Sequence, residues 1–350
     1  MAENKKGIWQ TVKESFTNHG VPSSVANAYA VTGSVVNWAI LLTVTQLTFF
    51  CTDVVGLSIV QMTVTLTIAR IIDMVVAAFC GMVMQRVKLK WGPVRSWLVI
   101  FPLIMFFGCM LEASAFLVPS DMAKILMISV GYILAQAATN FNNAVRNSLL
   151  GALASNQDSR FALSFRTNIL NTFLAMFITS YVLTFAVRLG DLVGSLGWGF
   201  FIMVLALNLL NVAMQLWLFW ASRKVDTDLL KPVSRKKKEK VSVVKAIGVA
   251  FQNKYLLLLL ACQFLTFLAI YVSAGLGTYY WMYVIGDVIF QGYSNTVGNV
   301  AQLIGLLLIA PVLSKKLGAA GSNKLMYFVL AAQNIICWFL GARTRLLYCV

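Results

Sequence analysis

The chain has 350 residues, of which 59% are hydrophobic and only 11% are charged. Soluble domains carry about 25% charged residues, so this composition excludes a water-soluble globular protein and predicts an integral membrane protein. The formal net charge of +16 does not indicate a nucleic-acid partner, because the basic residues lie in short loops between apolar stretches, as the positive-inside rule predicts.

Nine apolar stretches follow one another along the chain, each near the length of about 20 residues that a helix needs to cross a bilayer. They are residues 26–50, 59–84, 97–118, 123–154, 167–187, 198–221, 255–284, 297–313 and 325–340. This pattern predicts an all-α, polytopic membrane protein, which we place in the plasma or inner membrane of a cell.

Loops rich in lysine and arginine alternate with loops that are poor in them, and this alternation sets the orientation. The even-numbered loops are basic, whereas the odd-numbered loops contain Asp53, Asp191 and Asp287. The even loops and the N-terminus are therefore predicted to be cytoplasmic. The sixth loop contains the basic run 235–240, which we interpret as a linker held near anionic headgroups, with a lipid-binding patch as the alternative.

These observations divide the chain into four predicted segments. Residues 1–24 form a cytoplasmic N-terminal segment and residues 25–221 a six-helix bundle. Residues 222–247 form a basic cytoplasmic linker, and residues 248–350 a partial C-terminal bundle with helices seven to nine.

Nothing in the chain is typical of a catalytic or metal centre. The six cysteines are irregularly spaced and His19 is the single histidine. No phosphate-binding glycine loop and no nucleophile–histidine–acid set occurs. We therefore expect no enzymatic activity and no cofactor.

Four sequence blocks, in order along the chain, carry a specific resemblance. They are T-D-V-V-G-L-S at 52–58, A-R-I-I-D at 69–73, the stretch 81–97 ending in W-G-P-V-R-S-W, and T-Y-Y-W-M-Y-V-I-G-D at 278–287. Together they resemble the glycoside–pentoside–hexuronide:cation symporter family of the major facilitator superfamily. The resemblance implies a major-facilitator-type helical bundle that transports a sugar or glycoside by alternating access. We expect a monomer whose partners are a small-molecule, carbohydrate solute and membrane lipids.

The number of spans departs from the plan of that superfamily, which has six helices in each half. Nine spans leave the second half with three helices and place Arg343 and Arg345 outside, against the positive-inside rule. We interpret the chain as truncated at its C-terminus.

The second span is where a coupling ion is expected. The resemblance would place Asp, Asn and Asp at positions 73, 76 and 77, but this chain has Asp73, Val76 and Ala77. A hard cation needs several oxygen ligands, so the prediction favours H⁺ slightly over Na⁺, with Asp73 as the proton carrier, because burial disfavours an ionised carboxylate. An internal ion pair with Arg70 is the alternative.

The fourth span is unusually polar for a membrane helix. Asn140, Asn143 and Asn147 recur on one stripe, and Thr139, Asn143 and Arg146 form a second. Such side chains either line a polar cavity or bond neighbouring helices together. We favour the cavity and assign Asn140, with Asp73, to cation or proton coupling.

The resemblance also suggests residues that contact the solute. It aligns Asn143 with the family's sugar-binding carboxylate, Asn37 with that group's partner on the first helix, and Asn147 with a tryptophan of the fourth helix. Arg166 stands near the family's arginine at the start of helix five, a loop arginine being the alternative. These four residues are the predicted substrate-binding set, and amides can bind sugar hydroxyls as donors and as acceptors.

Four further charged residues are predicted to form ion pairs or a gate. In this superfamily the loop between the second and third helices latches one closed state through ion pairs. The residues assigned to this role are Arg70, Asp53, Arg86 and Arg95.

The functional prediction is a secondary active transporter, proton- or cation-coupled, for a sugar, a glycoside or a related hydrophilic solute. Two alternatives stay open. One is a truncated, non-transporting membrane protein, and the other is a transporter of an amphipathic or lipid-like solute.

Overall fold

The computed structural model describes residues 21–40, 42–87, 89, 91, 94–154, 157–223, 252–279 and 288–341, and these residues form helices and connecting turns without a strand. The all-α prediction is confirmed. Most of the predicted N-terminal segment, most of the basic linker, most of the fourth sequence block, and Arg343 and Arg345 lie outside the described residues. The four-segment division therefore stays a prediction.

The described helices follow the order of the predicted spans. We label them α1 (Ser23–Ala39), α2 (Ile59–Arg86), α3 (Trp97–Ala113), α4 (Asp121–Leu153), α5 (Gln157–Val193), α6 (Leu196–Ala221), α7 (Lys254–Tyr279), α8 (Val288–Ile304) and α9 (Ala310–Gly341). The chain divides into two compact units, one comprising Met1–Leu230 and Ser294–Val350 and the other Lys231–Tyr293. Every side chain in the site described below belongs to the first unit.

The first span is not a regular α-helix throughout. After α1 it continues through a π-helical turn at Leu42–Gln46, a short α-helical piece at Leu47–Phe49 and a second π-helical turn at Phe50–Val54. Hydrophobic periodicity alone does not distinguish such turns from an α-helix, because both keep apolar side chains on a helical surface.

The block T-D-V-V-G-L-S begins in the second π-helical turn and continues through the connection to α2. Gly56 has a φ of 79°, a left-handed conformation that glycine adopts at little cost. Ser58 then caps α2: its hydroxyl accepts from the Gln61 backbone N–H at 3.3 Å, and the Gln61 side chain accepts from the Ser58 N–H at 3.0 Å. This capping box provides hydrogen-bond acceptors for two backbone N–H groups at the start of α2.

Several helices differ from the predicted spans in their bounds, and two of them extend well into polar sequence. α5 begins at Gln157, ten residues before the predicted apolar stretch, because polar residues continue the helix. α9 begins at Ala310 and runs through a break at Gly318, where φ is 65° and ψ is 179°. The predicted boundaries counted apolar residues only, and a helix also extends through its polar ends.

Within the first unit, α3 packs on α4 and α6, and α1 packs on α5 and α6. Small residues allow the closest contacts, as is typical of membrane helices. A Cβ at Gly108 would lie 2.7 Å from the Ala135 backbone nitrogen, so only glycine fits where α3 meets α4. At one end of this contact Trp97, Phe101 and Phe141 stack, with centroid separations of 4.8 and 4.5 Å along the series.

Five stretches among the described residues are long and apolar enough to cross a membrane: Ile59–Ala77, Trp97–Leu117, Asp121–Leu153, Leu196–Ala221 and Gly292–Leu313. Their outward faces carry many exposed large hydrophobic side chains, which water would disfavour and lipid accommodates. The chain is a multi-pass membrane protein.

Candidate functional site

The predicted coupling residues meet where α2 and α4 pack together. The Asn140 Nδ2 donates to Asp73 Oδ1 at 2.8 Å. Asp73 is half-buried on α2 and Asn140 is half-buried on α4. The sequence prediction named both residues, and the structure brings them into direct contact.

The alternative ion pair within α2 is not formed in the structure. Arg70 and Asp73 are both described, and no salt bridge within 4.0 Å joins them. The exposed Arg70 guanidinium lies beside the Tyr132 hydroxyl of α4 instead. Val76 and Ala77, on the same face of α2, add no oxygen ligand. The described contacts therefore leave Asp73 with an amide donor and no cationic partner.

The predicted solute-contacting residues of the first and fifth helices lie on one seam. Asn37 Nδ2 donates to Asn171 Oδ1 at 3.3 Å, and Arg166 Nη1 donates to Asn27 Oδ1 at 3.1 Å. Asn27 and Asn37 are ten residues apart on α1, which corresponds to about 15 Å along the helix. Asn37 and Arg166 thus lie at two levels of the α1–α5 seam.

The amides of α4 divide between three environments. Asn143 and Asn147 are exposed, Asn140 contacts Asp73, and Asn142 is buried. The buried Asn142 Oδ1 accepts from Gln215 Nε2 of α6 at 3.5 Å. Bonding between helices therefore occurs on the buried face of this helix, and the cavity-lining role of its exposed amides stays a prediction.

Arg146 clamps α4 to α1, a role that the sequence analysis did not assign. Its Nη1 donates to the Tyr29 carbonyl at 3.0 Å and to the Thr32 hydroxyl at 2.9 Å. The guanidinium carbon lies 4.2 Å from the centroid of the Tyr29 ring, a cation–π contact. Gly33 leaves room for it, because a Cβ there would collide with the guanidinium. The position of Arg146 within an apolar span was the feature of the sequence that could have indicated this contact.

A second set of buried polar side chains was also missed. Asn208, Asn211 and Gln215 recur along one face of α6 and are all buried. Asn208 Nδ2 donates to the Ala39 carbonyl of α1 at 3.0 Å. The spacing of these amides in an otherwise apolar span was visible in the sequence and indicates bonding between helices.

Glu112 is the most deeply buried acidic side chain among the described residues. It lies near the end of α3, is 0% exposed, and accepts from the Thr43 hydroxyl at 2.5 Å. Glu112 falls within the predicted third span, and no role was predicted for it. A lone acid in a membrane helix is by default a candidate functional residue.

The residues predicted to form ion pairs or a gate lie apart. Asp53, at the end of the first span, accepts from the neighbouring Thr52 hydroxyl at 2.6 Å. Arg95 Nε donates to the Phe219 carbonyl at 2.9 Å, and its guanidinium lies 4.1 Å from the Phe219 ring centroid. Arg86 is the last residue of α2, and its side chain lies outside the described atoms. Arg95 thus ties the loop between α2 and α3 to the end of α6.

Comparison of the sequence with known proteins identifies a matching family and a similar transporter. Residues 28–350 match the sequence model of the family described as MFS/sugar transport protein. The isoprimeverose transporter of Lactiplantibacillus pentosus is 23% identical over 324 residues, which cover 91% of this chain and 64% of that protein. The chain thus spans just under two thirds of that relative's length.

Proposed function

This chain belongs to the MFS/sugar transport protein family, and on that premise we propose that it carries a sugar or glycoside across the membrane by proton-coupled symport. The solute passes by alternating access, with the exposed amides on α1 and α4 binding its hydroxyl groups. The relative described as an isoprimeverose transporter supports a carbohydrate solute.

The amides support this class of solute through their chemistry. Asn37, Asn143 and Asn147 are all exposed, so their donors and acceptors are accessible to a ligand. Each amide offers two N–H donors and a carbonyl acceptor, and a sugar hydroxyl uses both kinds of partner.

The observation that carries the coupling proposal is the environment of Asp73. Its carboxylate is half-buried in a membrane helix, accepts from Asn140, and has no arginine or lysine within salt-bridge distance among the described residues. A carboxylate without a fixed countercharge can gain and lose a proton, whereas a permanent ion pair would hold it ionised. A sodium ion would need more oxygen ligands than this face of α2 supplies.

Uptake into vesicles tests the proposal. The 350-residue chain is reconstituted and presented with radiolabelled sugars under an inward proton gradient, and uptake above that of empty vesicles is expected. Asp73→Asn keeps the size and hydrogen-bonding capacity of the side chain but cannot be ionised. It is expected to reduce proton-driven uptake to passive equilibration while sugar-for-sugar exchange continues.

The matched control is Asp191→Asn, which removes an exposed carboxylate on α5 and is expected to leave accumulation unchanged. Continued accumulation by Asp73→Asn under the proton gradient would refute the coupling role. Accumulation driven by a sodium gradient alone would refute proton coupling. Uptake that lysolipids inhibit and sugars do not would contradict a carbohydrate solute.

A further inference from the structure

Glu112 lies at a junction of three helical segments that seal it from solvent. It is on α3, which packs against α4, α6 and the π-helical turn at Leu42–Gln46. On the α4 side the backbones approach so closely that a Cβ at Gly131 would lie 2.8 Å from the Glu112 backbone nitrogen. The side chain is 0% exposed, so no water molecule contacts it from outside the bundle.

The polar contacts of Glu112 are too few for an ionised carboxylate. Thr43 donates to Oε2, and Oε1 is buried without a hydrogen-bond partner. A carboxylate has about four acceptor positions, and an unpaired buried charge costs several kcal/mol. One hydroxyl offsets little of that cost.

The groups that face Glu112 from the neighbouring segments supply no positive charge. The titratable ones are Cys51 of the first span, Cys109 of α3 and Tyr132 of α4. From α6 the nearby polar group is Asn208, which contacts Cys109. No arginine or lysine among the described residues forms a salt bridge with Glu112. A proton is therefore the ligand that makes this side chain compatible with its surroundings.

The backbone that carries the hydroxyl partner is itself irregular. Thr43 lies within the π-helical turn at Leu42–Gln46. Such turns are rare in helices and occur frequently at functional sites. A π-helical turn contains an additional residue, and its return to α-helical geometry would move Thr43 relative to α3.

We propose that Glu112 and Thr43 form a second proton-binding site, separate from Asp73, in which the protonated carboxyl of Glu112 holds the π-helical turn of the first span against α3. When the proton leaves, the charged carboxylate requires water, and the first span separates from α3 to admit it. This inference stands on packing within the first unit and is independent of the solute.

Infrared spectroscopy of the purified chain tests the protonation state directly. A protonated carboxyl has a C=O band separate from that of a carboxylate. At neutral pH the native chain is expected to show such a band, which Glu112→Gln abolishes and Asp73→Asn leaves in place. Thr43→Val, a near-isosteric change that removes the hydroxyl, is expected to shift the same band to higher frequency. A spectrum that Glu112→Gln leaves unaltered would overturn the proposal.

Thiol labelling tests the opening of the junction. Cys51 and Cys109 are both buried beside Glu112, and Cys262 is exposed. Raising the pH is expected to increase site-resolved labelling of the two buried thiols several-fold in the native chain and much less in Glu112→Gln. A negative charge at Glu112 disfavours ionisation of the neighbouring thiols, so thiol ionisation alone would favour labelling in Glu112→Gln, the opposite of the expected difference. Cys262 reports equal reagent activity. Equal labelling of the buried thiols in both chains would contradict the opening step. Labelling that changes with the sodium concentration and not with pH would contradict a proton as the ligand.

Discussion

The contact between α3 and α4 allows a quantitative test of how closely these helices must pack. A Cβ at Gly131 would lie 2.8 Å from both the Glu112 backbone nitrogen and the Gly108 carbonyl oxygen. Both distances are about 0.6 Å inside the 3.4 Å at which ordinary van der Waals contact begins. The obstructing atoms are backbone, so Gly131→Ala cannot be relieved by a change of rotamer and must push the two helices apart.

Overpacking of this kind costs about 1–3 kcal/mol. Gly131→Ala is therefore expected to lower the melting temperature of the detergent-purified chain by several degrees, as followed by tryptophan fluorescence. The matched control is Gly151→Ala on the same helix, where a Cβ would meet nothing within 4 Å. Alanine is the better helix former by up to about 1 kcal/mol, so this control is expected to be neutral or slightly stabilising. Equal melting temperatures for the two variants would refute the close packing of α3 on α4.

Two arginines provide further tests. Arg146→Met removes the donors to Tyr29 and Thr32, and because hydrogen bonds from a charged group contribute about 1.5–3 kcal/mol each, the melting temperature is expected to fall. Arg146→Lys keeps the charge but loses the guanidinium geometry, and its melting temperature is expected to lie between those of the native chain and Arg146→Met. A native-like melting temperature of Arg146→Met would contradict the clamp. Arg95→Gln removes the cation–π contact with Phe219 and is expected to speed chymotryptic cleavage of the loop between α2 and α3. Arg95→Lys should show a smaller increase, and cleavage at the native rate in both variants would show that the tie to α6 does not hold this loop.

The contact between Asp73 and Asn140 could be predicted because each side chain is unusual within its own span. A carboxylate in the second span and a stripe of amides in the fourth both need polar partners in the membrane. The resemblance to symporters directed attention to Asp73, the polar stripe of the fourth span indicated Asn140, and the structure shows them 2.8 Å apart. The turn at Gly56 and the cap at Ser58 likewise depend on local sequence, which is why the first sequence block corresponds to a defined turn.

The contacts of Glu112 and Arg146 could not be derived in the same way. Glu112 contacts Thr43, 69 residues earlier, and Arg146 contacts Tyr29, 117 residues earlier. Such pairs depend on which faces of three helices meet, and the pattern within one apolar span does not determine that. The π-helical turn that carries Thr43 changes the facing residue by one position, which a regular helical repeat does not predict.

The two membrane carboxyls therefore differ in how a proton can reach them. Asp73 is only half-buried, and in the proposed coupling role it exchanges its proton without rearrangement of the bundle. Glu112 is sealed by α4 and by the first span, so a proton can exchange there only when these segments separate. Exchange at Glu112 is then limited by helix motion, on a timescale of microseconds or longer. A group with immediate access suits the binding of a coupling proton, and a group that exchanges only during separation suits a link between protonation and helix position. Proton-coupled transport needs both functions, and in our proposals Asp73 performs the first and Glu112 the second.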